Sequence, residues 1–172
     1  MAVKKAKDTF ANVAALLVTE SAANTQTSEK FAFPFSIMDK MGLIISRVEY
    51  WFNVLSQFNS SGDGVYIGLS AAAAITSITS QNDPLLIDSC WISRVDFGTA
   101  ASGMVYTTPL VKDFTDLPGG GLLVAPNPFY GIIQSSGAAG PNAAWIKVFY
   151  SYMEMDTDEY WQLVESRRII SN

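Results

Sequence analysis

The chain breaks into short apolar, β-branched and aromatic runs, each ended by a cluster of turn residues, and this punctuation limits the folds open to it. Apolar residues dominate Phe10 to Glu20, and the polar turn "SAANTQTS" follows. "EKFAFPFS" alternates, with Phe31, Phe33 and Phe35 on one face and Pro34 on the other, as suits an edge strand or a strand end. "IMDKMG" reads as a short helical turn. A long strand is predicted from Leu43 to Leu55, stopped by "NSSGDG", and the next begins at Val65 in "VYIGLSA". "AAAAITSITSQNDP" is a connection with a helical turn near "DPLLID": its alanines favour helix, but the Thr and Ser after them do not. Further strands are predicted from about Ser89 to Thr99, from Met104 to Val111, in two short pieces around "APNP", and from Ala144 to Met155. The glycines of "LPGGG" permit a sharp bend or a close backbone approach, and "SSGAAGPN" is a loop.

Only the C-terminus changes period. "DTDEYWQLVESRR" reads as a helix with Asp156 at its N-cap and Glu159 three residues on, a capping-box variant. Asp158 and Glu159 in the first turn and Arg167 and Arg168 in the last suit the helix dipole. The helix is too short to stand alone, and Tyr160, Trp161, Leu163 and Val164 offer it a docking face. Strands that do not alternate with helices argue against a parallel α/β sheet. The expected fold is all-β, an eight-stranded antiparallel jelly-roll sandwich with a short C-terminal helix. Residues 1–9 read as a flexible basic N-terminal arm, 10–155 as the jelly-roll domain, and 156–172 as a helix and tail docked on it.

Chemistry is bounded by what is missing. The sequence has no histidine, which removes the usual triad base, metal ligand and pH switch. The single cysteine, Cys90 in "DSCWISRV", has no partner for an intrachain disulfide and reads as a small core residue. Charged residues are 16% of the chain, below the roughly 25% of ordinary soluble domains, which suits either a surface that largely faces other protein copies or a compact β domain rich in Ser, Thr and Asn. A net charge of -5 argues against a nucleic-acid-binding body. The basic cluster Lys4, Lys5 and Lys7 is a candidate weak contact to a genome or an inner surface, with a solvated tail as the alternative. "KKAK", "FANVAALLV" and "SAA" imitate the parts of a signal peptide, but Asn12 interrupts the apolar stretch, and the segment reads as an arm leading into a first strand. No apolar run approaches the roughly 18 residues of a membrane span.

Candidate motifs are few. "PGGGLL" lacks the Lys and Ser/Thr of a phosphate loop, and "NSSGDG" lacks the spaced acids of a calcium loop. Asn59-Ser60-Ser61 fits a glycosylation triplet. Trp51, Trp91, Trp145 and Trp161 could form a sugar platform, although core packing is the expected use of most of them. One phrase occurs twice, "ISRVEYWF" from Ile45 and "ISRVDFGT" from Ile92. Strand alternation places Ile45, Arg47, Glu49 and Trp51 on one face and Ser46, Val48, Tyr50 and Phe52 on the other. In the second copy Ile92, Arg94 and Asp96 oppose Trp91, Ser93, Val95 and Phe97. With the Val and aromatic faces in the core, Arg47/Glu49 and Arg94/Asp96 point outward as a candidate subunit interface, on two equivalent strands of a two-sheet scaffold. Ordinary surface charge pairs are the alternative.

"TESAANT", "ISRVEYWF", "LPGGGLLVAPNPFYG" and "VFYSYMEMDTDEYWQLVESRRI", in that order, give a chain that resembles the single jelly-roll capsid proteins of tailless icosahedral viruses. The resemblance implies self-assembly into a shell around a genome, without enzymatic activity or cofactor, in a virion made in the host cytoplasm. The partners it implies are further copies, other capsid proteins, and nucleic acid or an inner membrane reached through the arm. Three lysines are fewer than the arms of many such proteins carry, which suits a shell lined by a membrane or another protein. The alternatives are a carbohydrate-binding β-sandwich and a non-viral shell or filament subunit.

Overall fold

The turn clusters deliver strands that hydrogen-bond over long sequence separations. The computed structural model describes residues 12–34, 40–56, 58, 62–78, 83–94, 109–125 and 128–169. Among them are nine strands and one helix: β1 (Asn12–Thr19), β2 (Thr27–Lys30), β3 (Met41–Val54), β4 (Gly64–Ser70), β5 (Leu86–Ser93), β6 (Leu110–Asp113), β7 (Leu122–Val124), β8 (Tyr130–Ser136), β9 (Ala143–Glu154) and α1 (Thr157–Ile169). They form an all-β sandwich. One sheet has the order β1-β9-β3-β6, with β7 also on β3, and the other has the order β2-β8-β4-β5. Every pairing is antiparallel.

The count exceeds the expected eight because one edge strand is broken. β9 pairs with β3 along one edge from Met41 to Val54. β6 takes the other edge at Arg47–Tyr50 and β7 the same edge at Leu43–Ile45. Between them the chain leaves the sheet as "FTDLPGGG", residues 114–121. The Phe114 N–H donates to the Ser46 carbonyl (2.8 Å), and the Gly120 N–H closes a turn on the Leu117 carbonyl (2.9 Å). Gly119 and Gly120 have φ of 92° and 77°, a region that costs other residues energy. This is the bend expected of "LPGGG".

The core lies between the sheets. Leu43, Ile45, Val48, Tyr50 and Phe52 of β3 and Ala144, Ile146, Val148 and Tyr150 of β9 meet Val65, Ile67 and Leu69 of β4, Ile92 of β5 and Ile133 of β8. Ile45 joins Val48 and Tyr50, contrary to strict alternation, because the register slips between Ile45 and Arg47. A β-bulge there adds one residue and returns the next side chains to the opposite face. The second copy also departs from expectation. Ile92 is buried and Trp91 is exposed, so its core face is the reverse of the one anticipated. Trp91 stacks on Tyr66 across the strand pair, with ring centroids 5.0 Å apart. The two copies are not equivalent either: β3 is paired on both edges, whereas β5 is paired on one edge only among the described residues.

Other local expectations shift. β2 covers Thr27–Lys30, and Phe31 and Phe33 follow it as a stacked pair (5.8 Å) packed on Phe129. "DPLLID" forms no helix: β5 begins at Leu86, after a turn in which buried Asp83 accepts from the N–H groups of Thr76 (2.8 Å) and Leu85 (2.9 Å). That connection matters for the surface. Its Ile75 and Ile78 pack on Ile132 and Tyr66 and so cover part of the outer face of the four-stranded sheet, beside the exposed Trp91. The helix keeps its capping box: the Glu159 N–H donates to Asp156 (2.8 Å) and the Asp156 N–H to Glu159 (3.2 Å). Tyr160 is buried, while Trp161, a turn of about 100° further round, stands exposed rather than docked.

Candidate assembly surface

The outer face of the five-stranded sheet is built by alternation on strands whose other face fills the core. Three rows cross it. Leu17 of β1, Trp145 of β9 and Trp51 of β3 are direct cross-strand neighbours. Ala15, Lys147, Glu49 and Val111 form the next row, and Val13, Phe149, Arg47 and Asp113 the third. Five large apolar side chains stand more than a third exposed here: Val13 at 54%, Leu17 at 37%, Trp51 at 36%, Trp145 at 41% and Val111 at 50%. Ala15, Trp51, Trp145 and Lys147 line a hollow of about 380 Å³. Scattered exposed apolar residues are ordinary, but contiguous rows of them mark an interaction surface.

Charge is sparse and placed among these rings. Arg47 and Glu49, expected to point outward, do so, and they bond to each other along the strand. Glu49 also accepts from the Trp51 indole N–H (3.2 Å) and is almost closed off from solvent. The Arg47 guanidinium lies 4.3 Å from the centre of the Phe149 ring, and its Nε is buried without a hydrogen-bond partner. The Lys147 ammonium sits 5.2 Å from the centre of the Trp51 ring. Cation–π contacts of this kind hold the charges in the apolar surface.

The second arginine does something different. Arg94 follows the last residue of β5, and its Nη1 donates to the Phe58 carbonyl at 2.6 Å, a link within the chain. Asp96 lies outside the described residues, as do Lys4, Lys5 and Lys7. All four tryptophans are exposed, which corrects the expected core packing: aliphatic residues, Phe and Tyr already fill the inter-sheet space. Trp145, Lys147 and Phe149 were missed as surface residues. Their signal was available, because "AAWIKVFYS" is apolar on both faces of one strand, and such a strand needs cover on both.

A polar cluster inside the sandwich was also missed. The Tyr50 hydroxyl donates to Asp88 at 2.6 Å, and Lys112 approaches the same carboxylate at 3.9 Å. Leu86, Ile87, Asp88, Ser89 and Lys112 line a polar hollow of about 290 Å³ at the β5–β6 side. Burial raises the Asp88 pKa, opposed by the Tyr50 hydrogen bond and the Lys112 charge. Burial also pushes the Cys90 thiol up to about 12, so at neutral pH it is a protonated core group rather than a nucleophile. Among the described residues no group of three or more Cys, Asp or Glu side chains is placed to hold a metal ion.

Asp88 carries a pH prediction. Its folded pKa lies above its unfolded value, so the native state holds the proton more tightly, and its contribution to stability falls as pH rises through the folded pKa. Asp88→Asn removes that ionisation. Its stability relative to the parent is expected to improve from acid to neutral pH and then level off. Urea denaturation of both proteins from pH 3.5 to 7 checks this; a variant that loses ground as pH rises contradicts it.

Comparison with known proteins assigns no family: no family model matches the chain, and no curated protein matches it either.

Proposed function

We propose that this chain is a structural capsid protein, a single jelly roll that self-assembles into an icosahedral shell enclosing a genome and performs no catalysis. The strand order supports the jelly roll. Treating β6 and β7 as one broken edge strand leaves four positions in each sheet. The pairs β1–β9, β2–β8, β3–β6/β7 and β4–β5 are those of one long hairpin, and β9–β3 and β8–β4 join its arms after it folds over into two sheets. The resemblance read in the sequence points the same way.

The assembly reading is carried by the contrast between the two outer faces. The chain covers part of the four-stranded sheet with its own connection, leaving Trp91 exposed there, and presents a wider apolar set, Trp51, Trp145, Leu17, Val13 and Val111, on the five-stranded one. A shell subunit has such surface to give to its neighbours. Its place would be the virion, after synthesis in the host cytoplasm, with other copies and other capsid proteins as partners. The Lys4, Lys5 and Lys7 arm would meet nucleic acid or an inner membrane.

The purified full chain is expected to give closed particles by light scattering and electron microscopy. Trp51→Ser with Trp145→Ser should lower assembly strongly, since aromatic anchors at interfaces carry about 2 kcal/mol or more each, roughly 30-fold per contact. The circular dichroism spectrum should stay native. A strictly monomeric parent at high concentration across salt and pH rejects the shell. Filaments point instead to a non-viral fibre subunit.

The Trp51–Trp145 hollow favours a second reading, a carbohydrate-binding sandwich, because exposed aromatic faces can stack on sugar rings. A monomer that binds a glycan panel, and loses binding on Trp145→Ser, would establish it in place of the first.

A further inference from the structure

We propose that the hollow between Trp51 and Trp145 receives the partner's Trp161, from the closing helix of a second copy, while Lys147 at its side pairs with the acids that flank that tryptophan. The inference rests on the assembly reading and adds the mode of contact: a helix knob on one copy enters a sheet hollow on the next.

The knob has no use within its own chain. Buried Tyr160 seats α1, which leaves Trp161 47% exposed. Asp158 lies three residues before Trp161 and Glu165 four after it, so the three share one helix face. Both acids are exposed, and neither has an ion pair among the described residues. An indole left in water between two carboxylates adds little to the fold. Aromatic at the centre and charged at the rim, this face has the make-up of an interface anchor.

The hollow is its complement in shape and charge. Ala15 is the small residue between Val13 and Leu17 on the outer face of β1, and Trp51, Trp145 and Lys147 wall the gap it leaves. A cavity of roughly 150 Å³ already takes a benzene ring, so about 380 Å³ has room for an indole. Lys147 has the Trp51 ring beneath its ammonium and no ion pair among the described residues. The indole N–H of Trp51 is fixed on Glu49, which holds that wall in place; Glu49, committed to Arg47 and Trp51, takes no part in the contact. The chain's own helix does not reach the hollow. From Lys147 to Glu154, β9 runs about 23 Å at roughly 3.3 Å per residue, whereas Trp161 lies only about 6 Å into α1 at roughly 1.5 Å per residue. A second copy supplies the matching knob. The contact joins unlike patches, so each copy offers one knob and one hollow, and such contacts propagate into rings or shells.

The test uses two full-length variants. Trp161→Ser removes the knob. Ala15→Glu fills the hollow with a carboxylate directly across the strands from Lys147, where it pairs with that lysine in its own chain. Each alone is expected to weaken self-association in sedimentation equilibrium by about tenfold or more, with native circular dichroism in both. Mixed in equal amounts, the two should form a one-to-one pair, because the first keeps its hollow and the second keeps its knob. Parent-like association of either variant alone overturns the proposal, and so does a mixture that stays as dissociated as its components. Closed particles from Trp161→Ser in the parent's yield would reject the knob and keep the shell. A complementing pair whose parent forms open chains and no closed particle would keep the contact and reject the shell. A parent that stays monomeric rejects both.

Discussion

Replacing Glu20 by alanine is expected to cost the fold about 3 to 5 kcal/mol, the largest loss from any single carboxylate among the described residues. Glu20 follows β1 and is buried, with 3% of its surface exposed. Its carboxylate accepts from the Ser135 N–H (2.5 Å) and hydroxyl (2.7 Å) on β8, and from the Asn142 N–H (2.8 Å) and side-chain amide (2.9 Å) before β9. One side chain therefore ties both sheets together at one end of the sandwich. Alanine removes the acceptor of four buried donors, of which the Asn142 amide keeps only the Gly140 carbonyl at 3.4 Å, and a donor left unpaired costs more than its bond contributed when made. Glutamine is no remedy, because it turns an amide donor toward donors. Thermal denaturation should show a fall of about 6 to 20 °C, at the roughly 2 to 4 °C per kcal/mol of a chain this long. A loss below about 1 kcal/mol would mean that water reaches these donors and that the tie is dispensable.

Tyr50→Ala is expected to be almost as damaging, at about 4 kcal/mol. Tyr50 is among the largest fully buried side chains, in the middle of β3, and its removal leaves a cavity that rigid strands on both sides cannot close. It also takes away the hydroxyl that bonds Asp88 across the sandwich. Tyr50→Phe separates the two effects and should cost about 1 to 2 kcal/mol. Because that hydroxyl lowers the Asp88 pKa against the effect of burial, Tyr50→Phe should raise the pKa further and steepen the loss of stability from acid to neutral pH. Urea titrations of both variants at two pH values measure this. An alanine variant within 1 kcal/mol of the parent would place Tyr50 outside the core contacts assigned to it.

Much of the fold could be read from residues close together in the chain. The strand runs, the "LPGGG" bend and the Asp156–Glu159 box each depend on neighbours within a few positions. The candidate surface was half legible. Arg47 and Glu49 were placed outward correctly, but the aromatic rows beside them were read as core. Residue type alone does not say whether a tryptophan packs inside or stands out. That depends on how much inter-sheet volume other residues have already filled.

The sequence by itself determined that this chain is β, where most of its turns fall, that its closing helix is capped, and that histidine chemistry is absent. These follow from periodicity, glycine and proline stereochemistry, and composition, which are local properties. Only the tertiary structure decided the rest. The bulge at Ser46 put Ile45 in the core beside Val48 and left Arg47 and Glu49 outside. The reversal of β5 put Ile92 in and Trp91 out, since a shift of one residue exchanges the faces of a strand. Glu20 found Ser135 and Asn142, and Tyr50 found Asp88, across separations that no local pattern records. Which outer face is covered depended on where the β4–β5 connection folds back, and that is settled by long-range packing against Ile132.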